Sequence, residues 1–103
     1  MAKGYFTAFT ASFLCALAIL AACSNENGEL QARGQVVEVV PRNFSELEML
    51  RIRDDSGREY QFETEGFVGF TPSHVREHQL LGQTLLVTYV KRGERLIAVR
   101  LED

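Results

Sequence analysis

From Tyr5 to Ala22 the sequence YFTAFTASFLCALAILAA carries no charged side chain, whereas charges recur at short intervals from Glu26 onward. This boundary constrains the fold most. Two physical regimes share one chain. The run has the parts of an export signal: a cationic start at Lys3, an apolar stretch, and the small residues Ala21 and Ala22 before a cleavage point. A membrane-spanning helix is the rival reading, since ~20 apolar residues cross a bilayer. The run is a little short for that, is interrupted by Thr7, Thr10 and Ser12, and is followed by Asn25, Glu26, Asn27 and Glu29 rather than a basic stop.

Leu20-Ala21-Ala22-Cys23 resembles the lipobox of bacterial lipoproteins. The resemblance covers the first two dozen residues, and Lys3 is the only side-chain charge at its cationic start. It implies that residues 1–22 are a signal peptide, forming a signal helix that is removed. Cys23 then becomes the first residue of the mature chain and carries a diacylglycerol on its sulfur, with a further acyl group such as palmitate on its amine in many bacteria. Each buried methylene contributes ~0.8 kcal/mol, so two or more acyl chains anchor a protein stably without a spanning helix. The expected location is the cell envelope, with the domain facing the periplasm or exterior. Ser24 is similar to what outer-membrane lipoproteins carry in a diderm bacterium.

On this reading Cys15 leaves with the signal and Cys23 is consumed by lipid, so the mature domain has no thiol for a disulfide, a metal or nucleophilic catalysis. Loss of Lys3 leaves ten basic against fourteen acidic side chains, a balance of −4. Nucleic-acid binding depends on neutralising phosphates with Lys and Arg, and no nucleic-acid partner is expected.

Ser24 to Arg33 (SNENGELQAR) lacks a run of apolar positions and reads, with Cys23, as a polar tether over 23–33, reaching at most ~35 Å. A single domain is expected over 34–103. Gln35–Val40 (QVVEVV) is β-branched and stopped by Pro41. Leu47–Arg53 and Arg58–Thr64 alternate and flank the turn Asp54-Asp55-Ser56-Gly57, which predicts a hairpin. Thr71 as N-cap, Pro72 at the first position and Gly82 past the end predict a short helix. Thr84–Val90 and Arg95–Leu101 read as a second hairpin.

The element order is β-β-β-α-β-β, and the expected fold is mainly β, a small five-stranded OB-fold-like barrel with one short helix. An SH3-like barrel is the chief rival, but its short helical turn lies between the last two strands. The expected core is Val37, Val39, Leu50, Ile52, Tyr60, Phe62, Leu85, Val87, Ile97 and Val99.

Three constellations could carry chemistry. His74-Val75-Arg76-Glu77-His78 matches the H-x-x-E-H string of inverzincin zinc peptidases. That mechanism needs a third ligand on a separate helix and a cleft, and the 25 residues after His78 read as a hairpin. A weaker form keeps His74 and His78 as a two-ligand metal chelate. The simpler reading is a solvated helix face, or one histidine resting on the barrel. In EGFVGF, Phe67 and Phe70 are either a stacking platform for a sugar or peptide or plugs for the barrel end. Arg51 and Arg53 would suit a carboxylate or phosphate, unless Glu59, Gln61 and Glu63 across the hairpin engage them.

No nucleophile, base and orienter assemble from the sequence, and neither an enzyme nor a cofactor is expected. The leading functional expectation is a non-enzymatic, lipid-anchored module that binds an envelope protein or another envelope component. The alternative is a module for an oligosaccharide, an anion or a metal.

Overall fold

A computed structural model describes residues 28–103. The signal segment and Cys23 lie outside the described residues. Strands β1 (Glu29–Pro41), β2 (Leu47–Arg53) and β3 (Glu59–Thr64) precede helix α1 (Pro72–Leu81), and β4 (Thr84–Arg92) and β5 (Arg95–Glu102) follow it. The strands close into a barrel in the order β1-β2-β3-β5-β4, with β4 returning to β1. The helix between the third and fourth strands places this in the OB-fold-like arrangement rather than the SH3-like one.

β1 is longer than its sequence suggests. Glu29 to Arg33, expected in the tether, form a regular ladder with Val90 to Leu86 of β4. The reason is alternation: Leu30, Ala32 and Gly34 face inward while Glu29, Gln31, Arg33 and Gln35 are exposed. Only Ser24 to Gly28 then separate Cys23 from the barrel, a reach of at most ~18 Å.

The strand also serves two neighbours. Residues 29–35 pair with β4 and residues 35–41 with β2, so Gln35 faces both Thr84 and Arg53. Gly34 makes the close backbone approach at this crossover feasible, because a Cβ there would overlap the Arg53 carbonyl oxygen and lie 2.7 Å from its carbon.

The core comprises Ala32, Val36, Leu47, Leu50, Ile52, Phe62, Val68, Val75, Leu85, Val87, Tyr89, Ala98 and Leu101. Val39 and Tyr60 pack against it partly buried. Two bulges explain where the expected core differs. Val36 pairs with Ile52 and Glu38 with Arg51, so Val37 is an extra residue and the inward parity switches there. Its carbonyl accepts from Gln79 Nε2 of α1 at 3.0 Å, so the bulge helps to dock the helix. In β5, Ala98 pairs with Tyr89 and Arg100 with Thr88, which makes Val99 the extra residue. Val99 is 39% exposed, and Leu96, Ala98 and Leu101 face the core in its place. Ile97 is buried, but outside that cluster.

α1 begins and ends where the caps indicate. Thr71 Oγ1 accepts from the His74 amide at 3.2 Å, and Gly82 adopts φ 69° while Gln83 N–H returns to the His78 carbonyl at 2.9 Å. Its buried stripe is Pro72, Val75 and His78. A histidine therefore occupies a position normally apolar.

The β2–β3 turn rests on Asp54, whose Oδ1 accepts from Ser56 Oγ at 2.7 Å, Ser56 N–H at 3.0 Å and Arg58 N–H at 2.9 Å. The Ser56 hydroxyl, then the two amides, hold its carboxyl below the ordinary value. The Arg53 and Arg95 guanidiniums do the same for Glu59 and Glu63. For groups lowered in the folded state, the stability they add is fully present above the ordinary carboxylate range and is lost as pH falls through the lowered values. The thermal midpoint is therefore expected to be flat from pH 7 to about pH 5 and to fall below about pH 4. Asp54→Asn should shallow that acid limb in calorimetry; an identical limb would exclude Asp54 as a contributor.

Candidate functional site

His78 lies at the point where α1, β4 and the end of β5 converge. The short connection Gly82-Gln83 brings the Thr84 carbonyl to 3.3 Å from His78 Nδ1. Pairing of Leu86 with Glu102 sets the end of β5 beside the start of β4, so Asp103 Oδ1 lies 2.9 Å from His78 Nε2. One helical turn earlier, His74 Nε2 is 4.0 Å from the same oxygen. The three potential ligand atoms all lie within 4.8 Å of one another.

Exposure is graded across the cluster. The His78 side chain is 8% exposed, His74 46% and Asp103 77%. The His74 ring is packed on Phe70, with centroids 4.2 Å apart, and its centroid lies 5.2 Å from that of His78. An open groove of about 590 Å³ passes over the cluster, with Arg33, Glu77 and Gln83 also on its walls. Arg33 donates to Thr84 Oγ1 at 3.2 Å and to the Asp103 main-chain oxygen at 3.3 Å, which fixes the approach of the β5 end.

Both ring nitrogens of His78 face acceptors, a carbonyl and a carboxylate. A neutral imidazole has one N–H and can serve only one of them. If Nδ1 donates to Thr84, the Nε2 lone pair points at Asp103, and the two are reconciled by a proton or by a cation between them. A backbone carbonyl behind one nitrogen is also the usual device that orients a metal-ligating histidine.

The remaining sequence candidates are placed as follows. Arg51 is paired with Glu38, and with Glu59 at 3.7 Å; Arg53 is paired with Glu59 at 2.6 Å. Phe70 packs against the core, while Phe67 is 59% exposed. Val68 is the buried side chain of this segment, part of the core cluster, and its carbonyl accepts from the Leu101 amide at 2.8 Å.

Two features escaped the sequence reading. Asp103 lies 25 residues from His78, and only the β4–β5 register joins them. Phe44, at the tip of the β1–β2 loop, is 99% exposed. It borders a shallow groove with Arg42, Pro72 and Arg76. The Asn43 side chain accepts the Ser45 and Glu46 amides at 2.9 and 2.8 Å and holds this loop in shape. An Asn beside an aromatic in a short loop was the available signal.

No family model, curated protein or solved structure matches this chain.

Proposed function

We propose that the protein is a lipid-anchored, non-enzymatic binding module of the bacterial envelope, tied to the membrane through Cys23. The observation that carries this is Leu20-Ala21-Ala22-Cys23 standing five residues ahead of a closed barrel. Among the described residues no helix is long and apolar enough to cross a membrane.

Partner binding is supported by Phe44. A fully exposed aromatic gains nothing for the folded monomer, yet aromatics are enriched at the centres of protein interfaces. The loop between the first two strands is also a ligand-contacting element of OB-folds generally. Arg42 of the same loop is neutralised by Glu46 and Glu48, which favours a partner with an apolar pocket over an anionic one.

Two measurements test the reading. The wild-type chain is expected in the membrane fraction with the mass of a diacylglycerol-modified product beginning at Cys23, and Cys23→Ala with its full, unmodified mass, held at the membrane only by the uncleaved segment Tyr5–Ala22. A wild-type mass equal to the unmodified chain would overturn the anchor. Crosslinking in intact cells should recover one dominant envelope protein, with about thirtyfold loss in Phe44→Ala, the equivalent of the ~2 kcal/mol of an interface hot spot. Equal recovery from both would remove Phe44 from the interface.

A further inference from the structure

We infer that His74, His78 and Asp103 form a binding site for one divalent transition-metal ion, Zn²⁺ in the first instance. The inference stands independently of the lipid anchor and of the Phe44 surface.

The donor set selects the class of ion. Two imidazoles and one carboxylate suit a borderline ion, whereas Mg²⁺ and Ca²⁺ require shells built from oxygen. The spacing is that of a helix chelate, with two histidines one turn apart on one face. Bonds of ~2.0–2.2 Å to a tetrahedral Zn²⁺ require donors ~3.4 Å apart. His78 Nε2 and Asp103 Oδ1, at 2.9 Å, open by about 0.5 Å to admit the ion, and the widest separation, 4.8 Å, closes by rotating the exposed His74 and Asp103 side chains.

Pre-organisation comes from the least exposed member. His78 is held by burial against the barrel and by the Thr84 carbonyl at Nδ1, which leaves Nε2 directed at the cluster. Phe70 restricts the His74 ring from one side. Arg33 on the groove wall opposes a cation electrostatically, but its donors are turned to Thr84 and the Asp103 main chain. Glu77, on the same groove, partly offsets that charge. Three protein ligands would leave a fourth tetrahedral position for water.

The site differs from the peptidase reading of H-x-x-E-H in the origin of its third ligand. That ligand comes from the end of a strand rather than from a second helix, and a sequence pattern built on helix spacing does not find it.

The test is titration of Zn²⁺ into the full chain purified in detergent, followed by calorimetry, with Ca²⁺ and Mg²⁺ as controls. One Zn²⁺ per chain is expected at micromolar or tighter affinity, unchanged in Cys23→Ala. His74→Ala and Asp103→Asn alter exposed side chains, so they should fold normally and weaken binding at least tenfold. His78→Ala removes a buried side chain, and its fold is checked by circular dichroism before its binding is read. Absence of Zn²⁺ binding below millimolar concentration, equal affinity in His74→Ala and Asp103→Asn, or comparable binding of Ca²⁺ would each overturn the assignment.

Discussion

Gly34→Ala is expected to abolish folding of the barrel, although it adds a single methyl group and the glycine has no positive φ. The new Cβ would meet main-chain atoms of Arg53, the carbonyl carbon at 2.7 Å. Ordinary overpacking costs about 1–3 kcal/mol because side chains can rotate away. Main-chain atoms held in the β1–β2 ladder cannot. Relief requires β1 and β2 to separate at Gln35 and Arg53, beside the point where β1 passes from one neighbour to the other. Far-ultraviolet circular dichroism and a urea melt decide the matter. A cooperative transition within 1 M of wild type would show that the crossover tolerates a wider spacing.

Phe62→Ala is the second large effect. Phe62 is fully buried, with its ring centroid 6.0 Å from that of Tyr60 and 5.0 Å from that of Tyr89. Truncating a buried phenylalanine costs about 3–5 kcal/mol, transfer and cavity together. A domain of this length has only about 4–11 kcal/mol in total. The variant should therefore lie near its unfolding midpoint at 37 °C or beyond it, with loss of the near-ultraviolet signal from Tyr60 and Tyr89. Phe62→Leu, which keeps most of the volume, should recover more than half of the loss. Equal behaviour of the two variants would mean that the aromatic cluster, rather than filled volume, carries the stability.

Legibility of the fold in the sequence depended on how local its cause was. The Asp54 turn and the Thr71, Pro72 and Gly82 caps are written in side chains that bond to their own neighbourhood, and these elements appear where the pattern places them. The first half of β1 was missed because Glu29, Gln31 and Arg33 are polar, and its inward residues are few and small. Alternation that ends on Ala32 and Gly34 resembles a tether. Val37 and Val99 were assigned inward by counting in twos, and a bulge reverses that count without leaving a mark in the residues themselves. Whether Phe67 was a plug or a platform stayed open for a similar reason: its segment is irregular, so no period tells that Phe67 turns out and Val68 turns in.

The site was half visible. The histidine pair follows from helical spacing, and the burial of His78 follows from its place three residues after Val75 on the docked stripe. Asp103 was invisible because its approach depends on the register of β5 against β4, bulge included. A one-residue change in that register would carry the carboxylate to the opposite side of the strand. Arg51 and Arg53 were legible in both readings, and the ladder engages them with Glu38 and Glu59.

The barrel is closed by its shortest ladder. β3 and β5 run parallel and pair only through Glu63 with Ile97 and Thr64 with Ala98, while Arg95 bridges to Glu63 at 2.8 Å across the same seam. Every other junction is antiparallel and longer. The structure therefore has an order of opening. Thermal fluctuation is expected to part this seam before the rest, and whichever of the Ile97 and Ala98 amide protons is directed at β3 should exchange with solvent sooner than those of the β1–β4 ladder in hydrogen-exchange measurements. The bulge at Val99 adjoins the seam, yet the strand that delivers Asp103 to the histidines stays held by its longer ladder with β4 when the seam parts.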